Sequence, residues 1–485
     1  MINLKLLYKV MGSLLFLESI MMVLCLIMAF YFGEDDIMAF AVSIIITLFV
    51  GCLFEYLGRD ADNRMSLRDS FLVVTLVWVV FSIFGALPFL LGGYLKNFTD
   101  AFFETMSGFT TTGATIIDNV EALPHGILFW RSLTQWIGGL GIIFFTIAIL
   151  PSMVGGGVRI FSAEATGPVK TKLHPKLSTS AKWIWGIYMT ISLGCFVTNM
   201  LLGMDWFRAI TYSMTTAATG GFGVDNGSIE SFNNPWLEYA TAAFCFLSGI
   251  NFTLLYASVF KGKIKELFQS AEFRLYFGLV ISFTLFIMVE LILHNHYDVE
   301  LALRKALFQV VSFITTTGLF SDDAALWPHV TWVVLAVAMA IGACSGSTSG
   351  GIKCIRGVML WKVVKNEIRQ RLHPNAVLPL KINGTNINDR QRVSLLAFLV
   401  TYIMFVLITA FVMIAAGIDN TNAITIALSS IGNVGPTLGL QIGPTMSWSA
   451  LPAFAKWMAA AMMLLGRLEI FSVLVIFSPS FWKEN

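Results

Sequence analysis

Apolar stretches of helical length recur along the chain, near 11–33, 37–57, 70–93, 127–150, 183–203, 237–260, 275–294, 330–343 running on to about 361, 393–417 and 453–478. Each approaches the roughly 20 residues an α-helix needs to cross the hydrocarbon of a bilayer, so the pattern predicts ten spans. Basic residues fall in alternate connections: Lys5 and Lys9; Arg59, Arg64 and Arg68; Arg159, Lys170, Lys172, Lys176 and Lys182; Lys261, Lys263, Lys265 and Arg274; Lys353 through Arg392; and Lys483. These connections are expected to face the cytoplasm, with both termini on that side. The opposite connections are acidic, with Glu34, Asp35, Asp36, Asp100, Glu104, Asp118, Glu121, Asp205, Asp225, Glu230, Asp298, Glu300, Asp322, Asp323 and Asp419. An acidic outer face attracts cations, although the orientation rule alone also produces such asymmetry. The apolar stretch 14–32 lacks a small-residue cleavage site and runs into Glu34-Asp35-Asp36, so it reads as a retained span rather than a signal peptide.

Composition agrees. Of 485 residues, 56% are hydrophobic and 12% charged, about half the charge of an average soluble domain. A water-soluble enzyme is excluded, and a net charge of +2 offers no nucleic-acid footprint. The six cysteines Cys25, Cys52, Cys195, Cys245, Cys344 and Cys354 form no ligand set and read as free packing thiols. The histidines His125, His174, His294, His296, His329 and His373 sit in connections or at span ends, as solvated or capping groups. Ser347 and Lys353 lack a P-loop pattern or a catalytic base, so no enzymatic activity is expected.

Four outer connections, after the third, fifth, seventh and ninth spans, are longer than a turn between helices requires. Self-comparison shows what they share. With Met106, Met214, Val311 and Leu428 in register, Thr111-Thr112-Gly113, Thr219-Gly220-Gly221, Thr316-Thr317-Gly318 and Asn433-Val434-Gly435 coincide without a gap. Each copy lies between an outward-going and an inward-going span. The expected fold is an all-α polytopic membrane protein with four span/pore-helix/span repeats in a pseudo-fourfold pore, preceded by two extra transmembrane helices. The expected divisions are 1–66 for the two extra helices, then 67–157, 158–262, 263–372 and 373–485 for the repeats.

Non-helical backbone survives at membrane depth only when it is buried in protein or lines an aqueous cavity. Glycine accepts positive φ, so peptide oxygens can be turned towards an axis and stand in for the hydration shell of an alkali cation. The negative C-terminal end of each preceding helix favours a cation over an anion. No carboxylate cluster of the calcium or magnesium type accompanies the four glycines, so a monovalent ion is expected. The plain alternative is helix packing through small residues; four copies at one offset on one side of the membrane argue against it.

The sequence resembles the Trk/Ktr/HKT superfamily of potassium transporters over nearly its whole length. The resemblance rests on Phe103 to Thr115, Trp130-Arg131-Ser132 with Gln135 to Gly141, Ser312 to Gly318, Gly346 to Lys353, Gly432 to Pro436 and Gly466-Arg467-Leu468-Glu469. The two extra N-terminal spans resemble the TrkH type rather than the shorter Ktr type. The resemblance implies potassium uptake across the bacterial inner membrane, with K+ as the transported ion. It also implies a homodimer whose subunits each have a pore, and a cytosolic TrkA-like regulatory subunit that binds nucleotide. A serine at the first glycine accompanies sodium permeation in that superfamily, and Gly113 stands there. The second copy departs from the threonine pattern with Gly220, and the fourth with Val434.

The eighth span is interrupted by a polar, glycine-rich run in which Ser345, Gly346, Ser347, Thr348, Ser349, Gly350 and Gly351 are expected to form an intramembrane gating loop below the filter. A static helix kink is the bland alternative. Arg467, inside the last apolar span, is expected to project into the pore and bond the loop, the alternative being a buried structural pair. Arg131 is expected to brace the filter through threonine or carbonyl oxygens, with Trp130 beside it, and Lys456 to snorkel to the surface. The basic stretch 353–392 is a candidate for docking the regulatory subunit or for touching anionic membrane lipid. Two other functions stay open: a proton- or sodium-coupled secondary potassium transporter, and a scaffold or membrane enzyme that carries no flux. The parallel repeats and the lack of a buried carboxylate chain favour conduction over coupling.

Overall fold

The computed structural model describes residues 2–62, 65–141, 177–375, 378–440 and 442–483. The second half of the expected span 127–150, the expected boundary at 157–158, Arg64, Arg159, Lys170, Lys172, His174 and Lys176 lie outside the described residues.

Helices Leu4–Phe32 and Ile37–Gly58 form an N-terminal hairpin. Glycines let its two backbones touch: a Cβ on Gly12 would meet the backbone of Gly51 and Glu55, and one on Gly58 the backbone of Lys5 and Lys9. Four units of one design follow. Their first spans are Leu67–Gly85, Leu177–Leu201, Ala271–His294 and Asp389–Ala415. Their pore helices are Phe98–Phe109, Trp206–Ala218, Val299–Ile314 and Asn420–Gly432. Every pore helix starts after an Asn or Asp, at Asn97, Asp205, Asp298 and Asp419, and three of these side chains accept helix N–H bonds. The first pore helix is buried on all sides from Ala101 to Phe109, the mark of a helix surrounded by protein. Long spans instead expose apolar side chains such as Ile45, Phe49, Val400 and Phe411, a surface suited to lipid.

Among the described residues, six helices are long and apolar enough to cross a membrane, and two bent pairs raise this to eight. The pairs correct two expected straight spans. Pro235–Ser248 and Phe252–Phe260 meet at 105°, and Ala453–Arg467 and Phe471–Phe477 at 107°. The first bend occurs where the Asn251 side chain caps a new helix by accepting from Thr253 and Leu254 N–H. The second turns on Glu469 and Ile470, both at positive φ, 56° and 55°, a strained conformation for a β-branched residue such as Ile470. The third unit has the short helix His329–Ile341, a loop, and Cys354–Leu372. A small antiparallel hairpin, Lys381–Ile382 with Thr385–Asn386, precedes the last unit; its two-residue strands gave no apolar alternation to read.

Candidate ion pathway

The four pore helices end identically. The N–H groups of Thr112, Gly220, Thr317 and Val434 donate to the carbonyls of Ser107, Thr215, Ser312 and Ser429 at 2.9, 2.9, 2.8 and 3.0 Å. The preceding residues, Thr111, Thr219, Thr316 and Asn433, are left-handed at φ 55°, 52°, 56° and 53°. The glycines that follow return to positive φ: Gly113 at 81°, Gly221 at 83°, Gly318 at 79° and Gly435 at 96°.

These glycines interlock in a closed cycle. A Cβ on Gly113 would overlap the carbonyl oxygen of Gly220, one on Gly221 that of Thr317, one on Gly318 that of Val434, and one on Gly435 that of Thr112. Each repeat thus lays the peptide oxygen before its own glycine against the glycine of the preceding repeat. Conformation and contact both demand glycine. All four glycines line one cavity of about 110 Å³, whose wall also includes Asp118, Arg131 and Asp225.

The departures from the repeat pattern have physical reasons. Gln135 occupies the space that a side chain at Gly220 would need. Its amide donates to Gly220 O at 2.7 Å, and its oxygen accepts Phe222 N–H at 3.0 Å. In the fourth copy Asn433 reaches across to Thr112 Oγ1 at 3.1 Å and Met463 O at 2.8 Å. Behind Thr111-Thr112-Gly113, Arg131 Nε meets Glu104 Oε1 at 2.9 Å, with both side chains inaccessible to solvent. Arg131 also donates to Gly223 O at 2.9 Å and Thr115 Oγ1 at 3.3 Å, and Trp130 bonds Gly85 O beside it. At the rim, Asp118 accepts hydrogen bonds from Ser447 and Ser449, which hold its carboxyl below the usual carboxylate range.

The run 342–353 lies directly against the C-terminal ends of the pore helices and touches the second, third and fourth units. Gly350 N–H donates to Thr316 Oγ1 at 2.7 Å. Thr348 Oγ1 reaches Ala217 O and Ser248 O at 3.2 and 3.3 Å. A Cβ on Gly350 would strike Gly432 O. Arg467 donates to Thr348 O at 2.8 Å and to Gly138 O and Gly139 O at 2.5 and 2.7 Å. Ser345 O accepts from Asn251 at 2.5 Å and Gly346 O from Phe252 N–H at 3.0 Å. Ser347 and Ser349 share a hydrogen bond of 2.9 Å, and Gly351 packs on Gly342. The run is thus a hydrogen-bonded loop rather than a kink.

A family model described as TrkH, a cation transport protein, matches residues 36–484. The chain belongs to the TrkH family. Over 481 residues it is 36% identical to the Trk system potassium uptake protein TrkH of Escherichia coli strain K12, covering 98% of this chain and 99% of that one. It is 35% identical to the protein of that name from Halomonas elongata, over 99% of this chain and all of that one. The crystal structure of the potassium transporter TrkH from Vibrio parahaemolyticus superposes with a TM-score of 0.89 at 33% identity, covering 99% of each chain.

Within this TrkH fold the structure corrects Lys456. It does not snorkel: it is 7% exposed and pairs with Asp100 Oδ1 at 2.7 Å. His125 lies at a span end, as expected, with its side chain 37% exposed; it also stacks on Phe32 with centroids 3.8 Å apart and shares Nδ1 with Glu34. Sequence reasoning also missed the burial of Glu104, Glu238 and Glu272. The available signal was a carboxylate inside an otherwise apolar helix, as Glu104 is between Phe103 and Thr105. Gln135 had no such signal, since its partner is a backbone oxygen of another repeat.

Proposed function

We propose that the protein carries potassium across the bacterial inner membrane, with both termini cytoplasmic, through one pore in each subunit of a homodimer. The observation that carries this reading is the closed cycle of four interlocked glycines at the base of an outer cavity, together with relatives named for Trk system potassium uptake. The ion-binding strands are Thr111-Thr112-Gly113, Thr219-Gly220-Gly221, Thr316-Thr317-Gly318 and Asn433-Val434-Gly435, within repeat units 67–157, 158–262, 263–372 and 373–485. Peptide oxygens there replace water around a K+ ion, and the helix C-termini supply negative potential. Ser345 to Gly351 form the gate. Arg467, which bonds Thr348 O, adds a positive charge beneath the filter. The helix Cys354–Leu372 leads away from the gate and carries exposed Lys365, Arg369 and Arg371, a docking surface for a TrkA-like nucleotide-binding subunit.

Purified protein in liposomes should take up rubidium and pass potassium in preference to sodium without a proton or sodium gradient. Arg467→Ala should raise the flux about tenfold, the effect of losing a charge-assisted hydrogen bond that holds the gate. Uptake that requires a proton or sodium gradient would point instead to coupled transport, and absent flux in every variant would end the reading.

A further inference from the structure

The gating loop leaves one helix and enters the next within a short distance, so it has a neck. Ser345 lies just inside one end and Ile355 just beyond the other. A single carboxylate oxygen, Glu272 Oε1, accepts the backbone N–H of both, at 2.6 Å from Ser345 and 3.2 Å from Ile355. Glu272 is 5% exposed and belongs to neither helix that the loop joins. It stands in the first turn of Ala271–His294, a turn capped by Ser270 and tied to the small hairpin through Ala271 N–H and Asn383 Oδ1 at 3.0 Å. Buried cations flank the neck: Lys353 Nζ turns back to Ser349 O and Oγ, and Arg356 pairs with Glu469 at 2.5 Å.

We infer that Glu272 is a positioning residue that keeps the gate shut by fastening both ends of the loop to a third helix; this rests on the loop being the gate. One oxygen that accepts two amides in a buried site ties both ends of the loop to a single point, and losing it would leave two buried N–H donors unanswered. Glu272 adds to the bonds that join the two ends directly, such as Cys354 N–H to Ala343 O at 2.9 Å, a tie from the neck to a separate helix. The contacts of Thr348 and Gly350 fix the loop's apex to the pore, whereas Glu272 fixes its base. The small hairpin braces the helix that carries Glu272, so force applied to the hairpin from the cytoplasm reaches the neck through the Asn383–Ala271 bond.

Two native thiols report on the neck without reference to conduction. Cys344 and Cys354 adjoin the pinned residues and are both fully buried. In full-length protein whose other four cysteines are replaced by alanine, labelling of Cys344 and Cys354 by a small water-soluble maleimide is timed alongside rubidium flux. Glu272→Ala should speed both by about tenfold, the shift expected for leaving buried donors without an acceptor. Glu272→Gln, which keeps a carbonyl acceptor, should return both most of the way to the wild-type values. Should the alanine variant not fold, Glu272→Asp, whose shorter reach cannot span both amides, carries the same expectation. Unchanged labelling in the folded variant overturns the pin. Faster labelling with unchanged flux supports the pin and overturns the gate reading on which its function depends.

Discussion

Lys456 and Asp100 form an ion pair 2.7 Å long between the last unit's second span and the first pore helix, fastening the ring where its two ends meet. Lys305 stands in the third pore helix where Asp100 stands in the first, at the same distance in sequence from its glycine. Its partner Glu238, 3.1 Å away, lies on the second span of the preceding unit. The two clasps are one design with the charges exchanged. Reversing one partner, as in Lys456→Asp, should lower thermal stability in detergent by on the order of 2 kcal/mol, between the values for exposed and fully buried pairs. The double reversal, Asp100→Lys with Lys456→Asp, should recover most of that loss. A double variant no more stable than the single one would show that the pair is not a clasp.

Arg131 and Glu104 present the harsher case, because neither is accessible to solvent. Removing one partner leaves a buried charge unanswered, which destabilises by about 3–5 kcal/mol. Arg131→Ala should therefore yield little folded protein on size-exclusion chromatography. Arg131→Lys should fold better yet lose rubidium uptake, since a single ammonium cannot span Glu104, Gly223 O and Thr115 as the guanidinium does. Wild-type uptake in the lysine variant would remove Arg131 from the support of the pathway.

The fourfold plan was legible because four copies of one strand stand at one offset, which no single Thr-Gly run could have revealed. The two bends were not. Each depends on a few residues, Gly249 to Asn251 and Leu468 to Ile470, inside stretches whose apolarity continues across the break. Hydropathy measures burial and takes no account of direction. Lys456 was misread for a related reason: a lysine near a span end normally reaches water, and only the arrival of Asp100 from the other end of the chain makes its burial tolerable. Arg467 was legible as a cation inside the last apolar span, but its attachment to Gly138 and Gly139 of the first unit depends on ring closure.

Asp118 lines the cavity above the four glycines, so its protonation is expected to bear on flux. Hydrogen bonds from Ser447 and Ser449 hold its folded-state pKa below the ordinary value. A depressed carboxylate contributes stability that is present above its unfolded pKa and lost as pH falls through the folded one. The tie between the 118 region and the 447–449 segment should therefore persist into acid below the usual carboxylate range. Changing both serines to alanine should move the protonation midpoint of Asp118 upward, followed by the acid limb of rubidium uptake. An acid limb unmoved by the double change would place the sensitivity on another group.

The interlocked cycle makes a stricter demand than a filter with one decisive glycine. Gly113, Gly221, Gly318 and Gly435 share positive φ, and each abuts a carbonyl oxygen of the next repeat in the cycle. Alanine at any of them meets the left-handed penalty of about 1–2 kcal/mol and must also displace the neighbouring strand. Gly221→Ala and Gly435→Ala should then impair potassium over sodium preference as severely as Gly113→Ala, by about tenfold or more in a paired flux assay. Gly220 supplies the internal control, because its φ is not positive and the obstruction there is the Gln135 side chain. Gly220→Ala should be damaging alone and largely relieved when combined with Gln135→Ala, whereas Gln135→Ala should not relieve Gly221→Ala. Equal relief of both would mean that the glycines respond to a general tightness behind the strands, and that the cycle of carbonyl contacts does not set the dimensions of the pore.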